Sequence, residues 1–351
     1  MLIFILVIFG LAFLILSHEA GHFFAAKAFG LKVDEFGFGF PPRIFAKKIG
    51  ETEYSLNWLP FGGFVKIVGE NDAAPFVEGE EAAPEISAEE KKHLFAFQPL
   101  WKRSIVMLAG VTVNFLIGWF LISAVLMVGT PKALIINEVQ NGTPAEHVGL
   151  LAGDIIKNFD NAKSFISFVN AHRGEQINIE IIREGNDMNF NVVPRINVGP
   201  GEGPVGIALA DAGSAREGFA SALWTGLKDS VAILGFTFQA FYALIVELFT
   251  HASLLPGVVG PVGIFSVAQT TGKIGFIYLV QLVSIISLNL TVVNLIPFPA
   301  LDGGRFLMII IEKIKGSPIP RGVERWVNAA GFAFLIVLMV LLTVRDVGHL
   351  L

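Results

Sequence analysis

His18, Glu19 and His22 form a His-Glu-x-x-His pattern within a run of apolar residues. On a helix, positions i and i+4 share a face. Both imidazoles can therefore meet one metal ion while the glutamate stands beside its water. Ionisable side chains at membrane depth cost at least roughly a few kcal/mol each, and persist when paired or bound to an ion. That cost favours a metal role over a chance match. A catalytic zinc needs a third protein ligand and one open position. The stretch Asn294-Leu295-Ile296-Pro297-Phe298-Pro299-Ala300-Leu301-Asp302-Gly303-Gly304 offers one. Two prolines interrupt a helix there, and broken helices at membrane depth occur where they line a cavity. Asp302 is the natural third ligand; its competing duty is to cap the helix that follows. The chain has no cysteine, so a metal site must use histidine and carboxylate. Zinc held by His18, His22 and Asp302 would polarise a scissile carbonyl and lower the pKa of its water. Glu19, as general base, would take the water's proton and pass it to the leaving amine.

The elements that must position these residues are mostly apolar helices. The chain has 351 residues, 53% hydrophobic and only 16% charged, with a mean hydropathy of +0.65. Soluble domains run near about a quarter charged, so a polytopic membrane protein is expected. Phe outnumbers Tyr 32 to 3, as suits aromatics that face lipid and need no hydroxyl partner. A net charge of −5 gives no reason to expect nucleic acid. Four segments are long enough for a bilayer core, which takes ~20 residues: 2–28, 105–128, 276–295 and 329–344. The first reads as a retained span, because it lacks a basic leader and stays apolar past the His-Glu pair.

A fifth stretch, 231–249, follows Lys228 and Asp229 and is interrupted by Gln239 and Glu247. A full crossing there would invert the third helix and carry Asp302 away from the histidines. An interfacial amphipathic helix is therefore expected. Lys313, Lys315, Arg321 and Arg325, with the lysines and arginine between Lys32 and Lys92, place residues 31–99 and the last turn in the cytoplasm. The N-terminus, residues 132–275 and the C-terminus then lie outside.

Two regions read as β-structure. One runs through Val33–Phe40, Tyr54–Trp58 and Phe64–Val68, after Gly62 and Gly63. The other has strands at 134–139, 155–159, 177–183 and 189–193 and a short helix at 164–172, making one extracytoplasmic α+β domain. An Ala/Glu/Pro-rich tract, 72–90, reads as a mobile loop. The expected organisation is a first span with the histidine motif (1–30), a β region and acidic loop (31–99), a second span (100–130) and the α+β domain (131–197). A linking region with the interfacial helix (198–275), the third span with the Pro-Pro-Asp segment (276–312), and a turn and fourth span (313–351) follow.

In this order the motifs resemble the site-2 protease family of intramembrane metalloproteases, especially the bacterial branch typified by the regulator-of-sigma-E protease. Phe36-Gly37-Phe38-Gly39-Phe40-Pro41 is similar to the start of that family's membrane-reentrant β-hairpin, and Pro60-Phe61-Gly62-Gly63-Phe64-Val65-Lys66 to its return. Phe95-Ala96-Phe97, Trp101-Lys102-Arg103 and Ala109-Gly110 to Asn114 resemble the second helix. Gly260-Pro261-Val262-Gly263-Ile264 resembles the lead into the third. The resemblance implies one zinc ion, Asn294 holding substrate backbone, and single-span membrane proteins as substrates, such as anti-sigma factors and signal-peptide remnants. It also implies a bacterial inner membrane and a PDZ identity for the external domain, which Gly142-Thr143-Pro144-Ala145 and Gly149-Leu150 through Gly153-Asp154-Ile155-Ile156 match. Departures are Asn158-Phe159-Asp160-Asn161 in place of the usual turn, Val111 in place of proline, and a single PDZ-like unit where some members have two.

Two other classes compete. A non-catalytic PDZ adaptor with structural zinc would leave Glu19 without a duty. A metal-ion transporter would need repeated ligand sets that the chain lacks. Asn114 and Asn289 read equally as substrate contacts or interhelical hydrogen bonds. His93, His147, His172, His251 and His349 read as surface residues.

Overall fold

The computed structural model describes residues 2–70, 87–159, 161–183, 186–199, 203–251, 260–317 and 319–350. Most of the 72–90 tract lies outside them. The chain divides into two compact units. One comprises residues 1–122, 226–269 and 280–351, and the other 123–225 and 270–279.

The first unit is built on helices α1 (Leu2–Ala28), α3 (Leu100–Val128), α6 (Phe219–His251), α7 (Pro261–Ile274), α8 (Phe276–Leu295), α9 (Asp302–Lys315) and α10 (Arg321–Leu350), some of which extend beyond it. Among the described residues, five helices are long and apolar enough to cross a membrane: α1, α3, α6, α8 and α10. The sequence pattern suggested four. The fifth, α6, begins at Phe219 rather than near residue 231 and runs unbroken through Lys228 and Asp229 for 33 residues. Two charges in a long helix do not end it when apolar residues continue on both sides.

Large apolar side chains face outward, among them Phe9, Phe24, Phe236 and Tyr242, while His18, His22, Asn114, Ser284 and Ser287 are buried. This arrangement suits lipid as the solvent, where close contact between helices relies on small residues. A Cβ on Gly21 would stand 2.7 Å from the Ala109 carbonyl oxygen, and one on Gly10 would stand 3.1 Å from Val283. A Cβ on Gly118 would come within 2.6 Å of Leu288. His22 meets Val106 and His18 meets Asn114, so α3 runs against α1. Tyr278 meets Pro131, just past α3, and Ser287 meets Asn114, so α8 runs against α3 and with α1.

Strands β1 (Val33–Ile49) and β2 (Thr52–Ile67) form the first unit's sheet. Each bends on itself, so Phe36 stands opposite both Val65 and Tyr54, and Gly37 opposite both Phe64 and Ser55. A short helix, α2 (Ala88–Lys91), follows with a Ser87–Glu90 capping box.

The second unit holds β3 (Ala133–Val139), α4 (Pro144–Val148), β4 (Ile155–Ile156), α5 (Ala162–Ala171), β5 (Ile177–Arg183), β6 (Asn186–Val192) and β7 (Ile207–Ala212). Its antiparallel sheet has the order β6-β5-β4-β3-β7. Leu134, Ile136, Ile156, Ile179, Ile181 and Val192 bury one face against Ala145 of α4 and against Phe165 and Val169 of α5. Strand β4 is shorter than its sequence suggests, because Asn158 takes a left-handed φ of 66° and turns the chain away. The sheet also gains β7, which lies beyond residue 197. Ile207-Ala208-Leu209-Ala210-Asp211-Ala212 has a single β-branched residue, at its start, and three alanines, a weak strand signal.

Candidate metal centre and active site

His18 and His22 lie on one face of α1, as their spacing requires. Asp302, 280 residues further on than His22, is the first residue of α9. The N-cap is Leu301 and no side chain caps this helix, so the Asp302 carboxylate is not spent on capping. Its Oδ2 lies 3.0 Å from His18 Nε2 and 3.1 Å from His22 Nε2, and the two Nε2 atoms are 3.3 Å apart.

His22 Nδ1 lies 2.8 Å from the Val106 carbonyl oxygen. A carbonyl can only accept, so Nδ1 carries the proton, and in the neutral ring Nε2 presents a lone pair. His18 Nδ1 lies 3.2 Å from Asn114 Nδ2, while Asn114 Oδ1 is buried without a hydrogen-bond partner, so exchanging the two amide atoms satisfies both. The amide orientation that turns its oxygen toward the ring lets Nδ1–H donate, which frees His18 Nε2 in the same way. Two lone pairs and a carboxylate oxygen then converge, an arrangement that repels unless a cation fills it. The spacing fits zinc: a tetrahedron with bonds of about 2.0–2.1 Å has edges of about 3.3 Å. Gly110 keeps this space open, since a Cβ there would collide with His22 Nε2 and come within 2.8 Å of His18 Cε1.

Glu19 is half-buried, with no hydrogen bond or ion pair among the described residues. Gly63 of β2 closes over it: a Cβ at Gly63 would stand 3.0 Å from Glu19 Cγ. The glycine-rich hairpin thus borders the same site. Asn294 sits half-buried in the last turn of α8, one turn before Pro297. Asn289 instead accepts a hydrogen bond from Thr237 of α6 (2.8 Å).

The ion pairs that hold α9 are absent from the sequence reading. Arg305, one turn after Asp302, pairs with Glu70, whose side chain is 8% exposed. Burial pushes the Glu70 carboxyl above the usual carboxylate range, and the Arg305 guanidinium opposes that rise. At the other end of α9, Glu312 accepts from Arg103 of α3 (2.8 Å). The signal for Arg305 was its place three residues after Asp302. Glu70 had none, because it stands at the edge of an acidic tract that reads as solvated.

A buried His-His-Asp cluster among apolar helices could hold a metal ion, and a glutamate stands beside it, a combination that fits a hydrolytic metal site in a membrane protein. The chain belongs to peptidase family M50, the site-2 protease family, whose model matches residues 6–338. It is similar to the zinc metalloprotease RasP of Geobacillus kaustophilus, 30% identical over 97% of this chain and 96% of that protein. It is also similar to the regulator of sigma-W protease RasP of Bacillus subtilis, at 27% over 98% and 97%. A third relative is the chloroplastic membrane metalloprotease ARASP of Arabidopsis thaliana, at 28% over 95% of this chain and 76% of that protein. The chain is a multi-pass membrane zinc metalloendopeptidase.

Proposed function

We propose that this protein is an intramembrane endopeptidase that cuts the transmembrane segments of single-span membrane proteins, with anti-sigma factors and signal-peptide remnants as the substrate class. The observation that carries this reading is the approach of Asp302 Oδ2 to both histidine Nε2 atoms at 3.0 and 3.1 Å among lipid-facing helices. His18, His22 and Asp302 hold the zinc. Bound there, zinc supplies Lewis acidity that polarises the scissile carbonyl and makes water a stronger acid. Glu19 accepts a proton from the attacking water and delivers it to the leaving amine. Val106 and Asn114 hold the two imidazoles in the tautomer that points Nε2 inward. A helical substrate must open before attack. The hairpin edge at Gly62–Ile67, beside Glu19, pairs with the opened strand. Asn294, one turn above the break, holds substrate backbone.

In the proposed topology α1, α3, α8 and α10 span the bacterial inner membrane. Because α8 runs with α1 and α3 against them, the chain leaves α3 and enters α8 at the same face. An even number of crossings must lie between. Helix α6 reaches Asn289, well inside α8, through Thr237. It therefore enters the bilayer from that face rather than lying flat on the surface, and the chain regains that face before α8. The sheet formed by β3 to β7 is a PDZ-like module on the extracytoplasmic side.

The test is Glu19→Gln. Zinc content should stay at one per chain while cleavage of a single-span reporter falls about 10²–10⁴-fold. Full cleavage by the variant would remove Glu19 from the mechanism, and loss of zinc would make it structural.

A further inference from the structure

We propose that a second, non-catalytic site between the ends of α1 and α3 binds the phosphate headgroup of an anionic phospholipid. A cavity of about 600 Å³ lies there, bordered by Phe29, Lys91, Lys92, His93, Phe97 and Lys102. The α1 span ends at Ala28 and the α3 span begins at Leu100, so the cavity opens at the membrane–water boundary. That holds whichever side of the membrane this end faces.

Four basic side chains meet in the cavity, and among the described residues no acid lines it. Lys92 is balanced by Glu89, 2.7 Å away. Lys91 and Lys102 meet no carboxylate among the described residues. Instead Lys91 Nζ lies 5.5 Å over the Phe97 ring, and Lys102 Nζ lies 5.6 Å over Phe29 and 5.8 Å over Trp101. These aromatic faces hold two ammonium groups in place without cancelling their charge. His93 is fixed by its Nδ1–H, which donates to the Gly30 carbonyl at 2.7 Å. Such a pocket suits a phosphate oxyanion.

The surroundings select a lipid over a soluble phosphate. Trp101 is 57% exposed at the first turn of the span, where indole rings anchor helices at headgroup depth. Phe24 of α1, five residues before Phe29, and Ile105 of α3, three residues after Lys102, are 67% and 46% exposed. They offer acyl chains a surface that continues below the headgroup. A bound lipid would brace the ends of the two helices that carry His18, His22, Val106 and Asn114, without touching the metal centre.

The test uses the full chain in mild detergent, with native mass spectrometry of lipid retention. Phosphatidylglycerol and phosphatidylcholine of matched acyl chains are the probes. The wild type should retain phosphatidylglycerol preferentially. Each interfacial lysine is worth about fivefold in anionic-lipid affinity, so Lys91→Gln with Lys102→Gln should lower retention by roughly 25-fold. Lys313→Gln with Lys315→Gln, at the end of α9, should leave it unchanged. Equal retention of the two lipids would overturn the proposal, as would an equal loss in the α9 variant, which would mean diffuse surface charge. Displacement by millimolar glycerol phosphate would overturn the lipid assignment in favour of a soluble anion.

Discussion

Asp302 and Asp154 are both poorly accessible carboxylates, one in each unit, and they are satisfied in opposite ways. Asp154 is 1% exposed and fully partnered: Arg183 Nε and Nη2 donate to its two oxygens at 2.7 Å, and the Leu151 amide donates at 2.8 Å. Every strong donor it needs belongs to its own unit. Asp302 faces two imidazole Nε2 atoms, and the His22 ring proton is directed away from it, to the Val106 carbonyl. A buried acid with a complete donor set is structural. One that converges with other lone pairs is waiting for a cation.

The sharpest way to break this contrast is to neutralise each carboxylate. Asp302→Asn should weaken zinc affinity by at least about 100-fold, the upper range for losing even an outer partner of a metal ligand. Helical content should be unchanged by circular dichroism; full zinc occupancy at nanomolar free metal would place the ligand elsewhere. Asp154→Asn should do the reverse. Leaving Arg183 without its buried partner should cost the second unit about 3 kcal/mol, seen as earlier thermal unfolding and faster proteolysis, with zinc content intact. Metal loss in this variant would erase the distinction.

Smaller effects sharpen the same comparison. Glu70→Gln leaves Arg305 without its carboxylate and loosens α9 beside Asp302, so zinc affinity should fall about tenfold. If metal titration shows no change, α9 is held by the Arg103–Glu312 pair alone. Thr237→Val removes the bond to Asn289 and should cost only about 0.6 kcal/mol, the average for interhelical hydrogen bonds in lipid. A much larger loss in thermal stability would make α6 a main support of the bundle.

The order of elements and part of the centre were legible in the residues themselves. A period of 3.6 puts His18 and His22 on one face, and an apolar run makes their helix a span. Two prolines before Asp302 mark a break. These are local rules, and local sequence carries them. The approach of Asp302 to the histidines, the Val106 carbonyl that fixes a tautomer, the Gly110 clearance and the Glu70–Arg305 pair all join residues distant in the chain. No periodicity encodes such pairings, because each depends on how helices cross. Strand β7 escaped for a related reason, a weak intrinsic strand propensity overruled by pairing with β3, whereas the early start of α6 escaped because Lys228 and Asp229 read as its boundary.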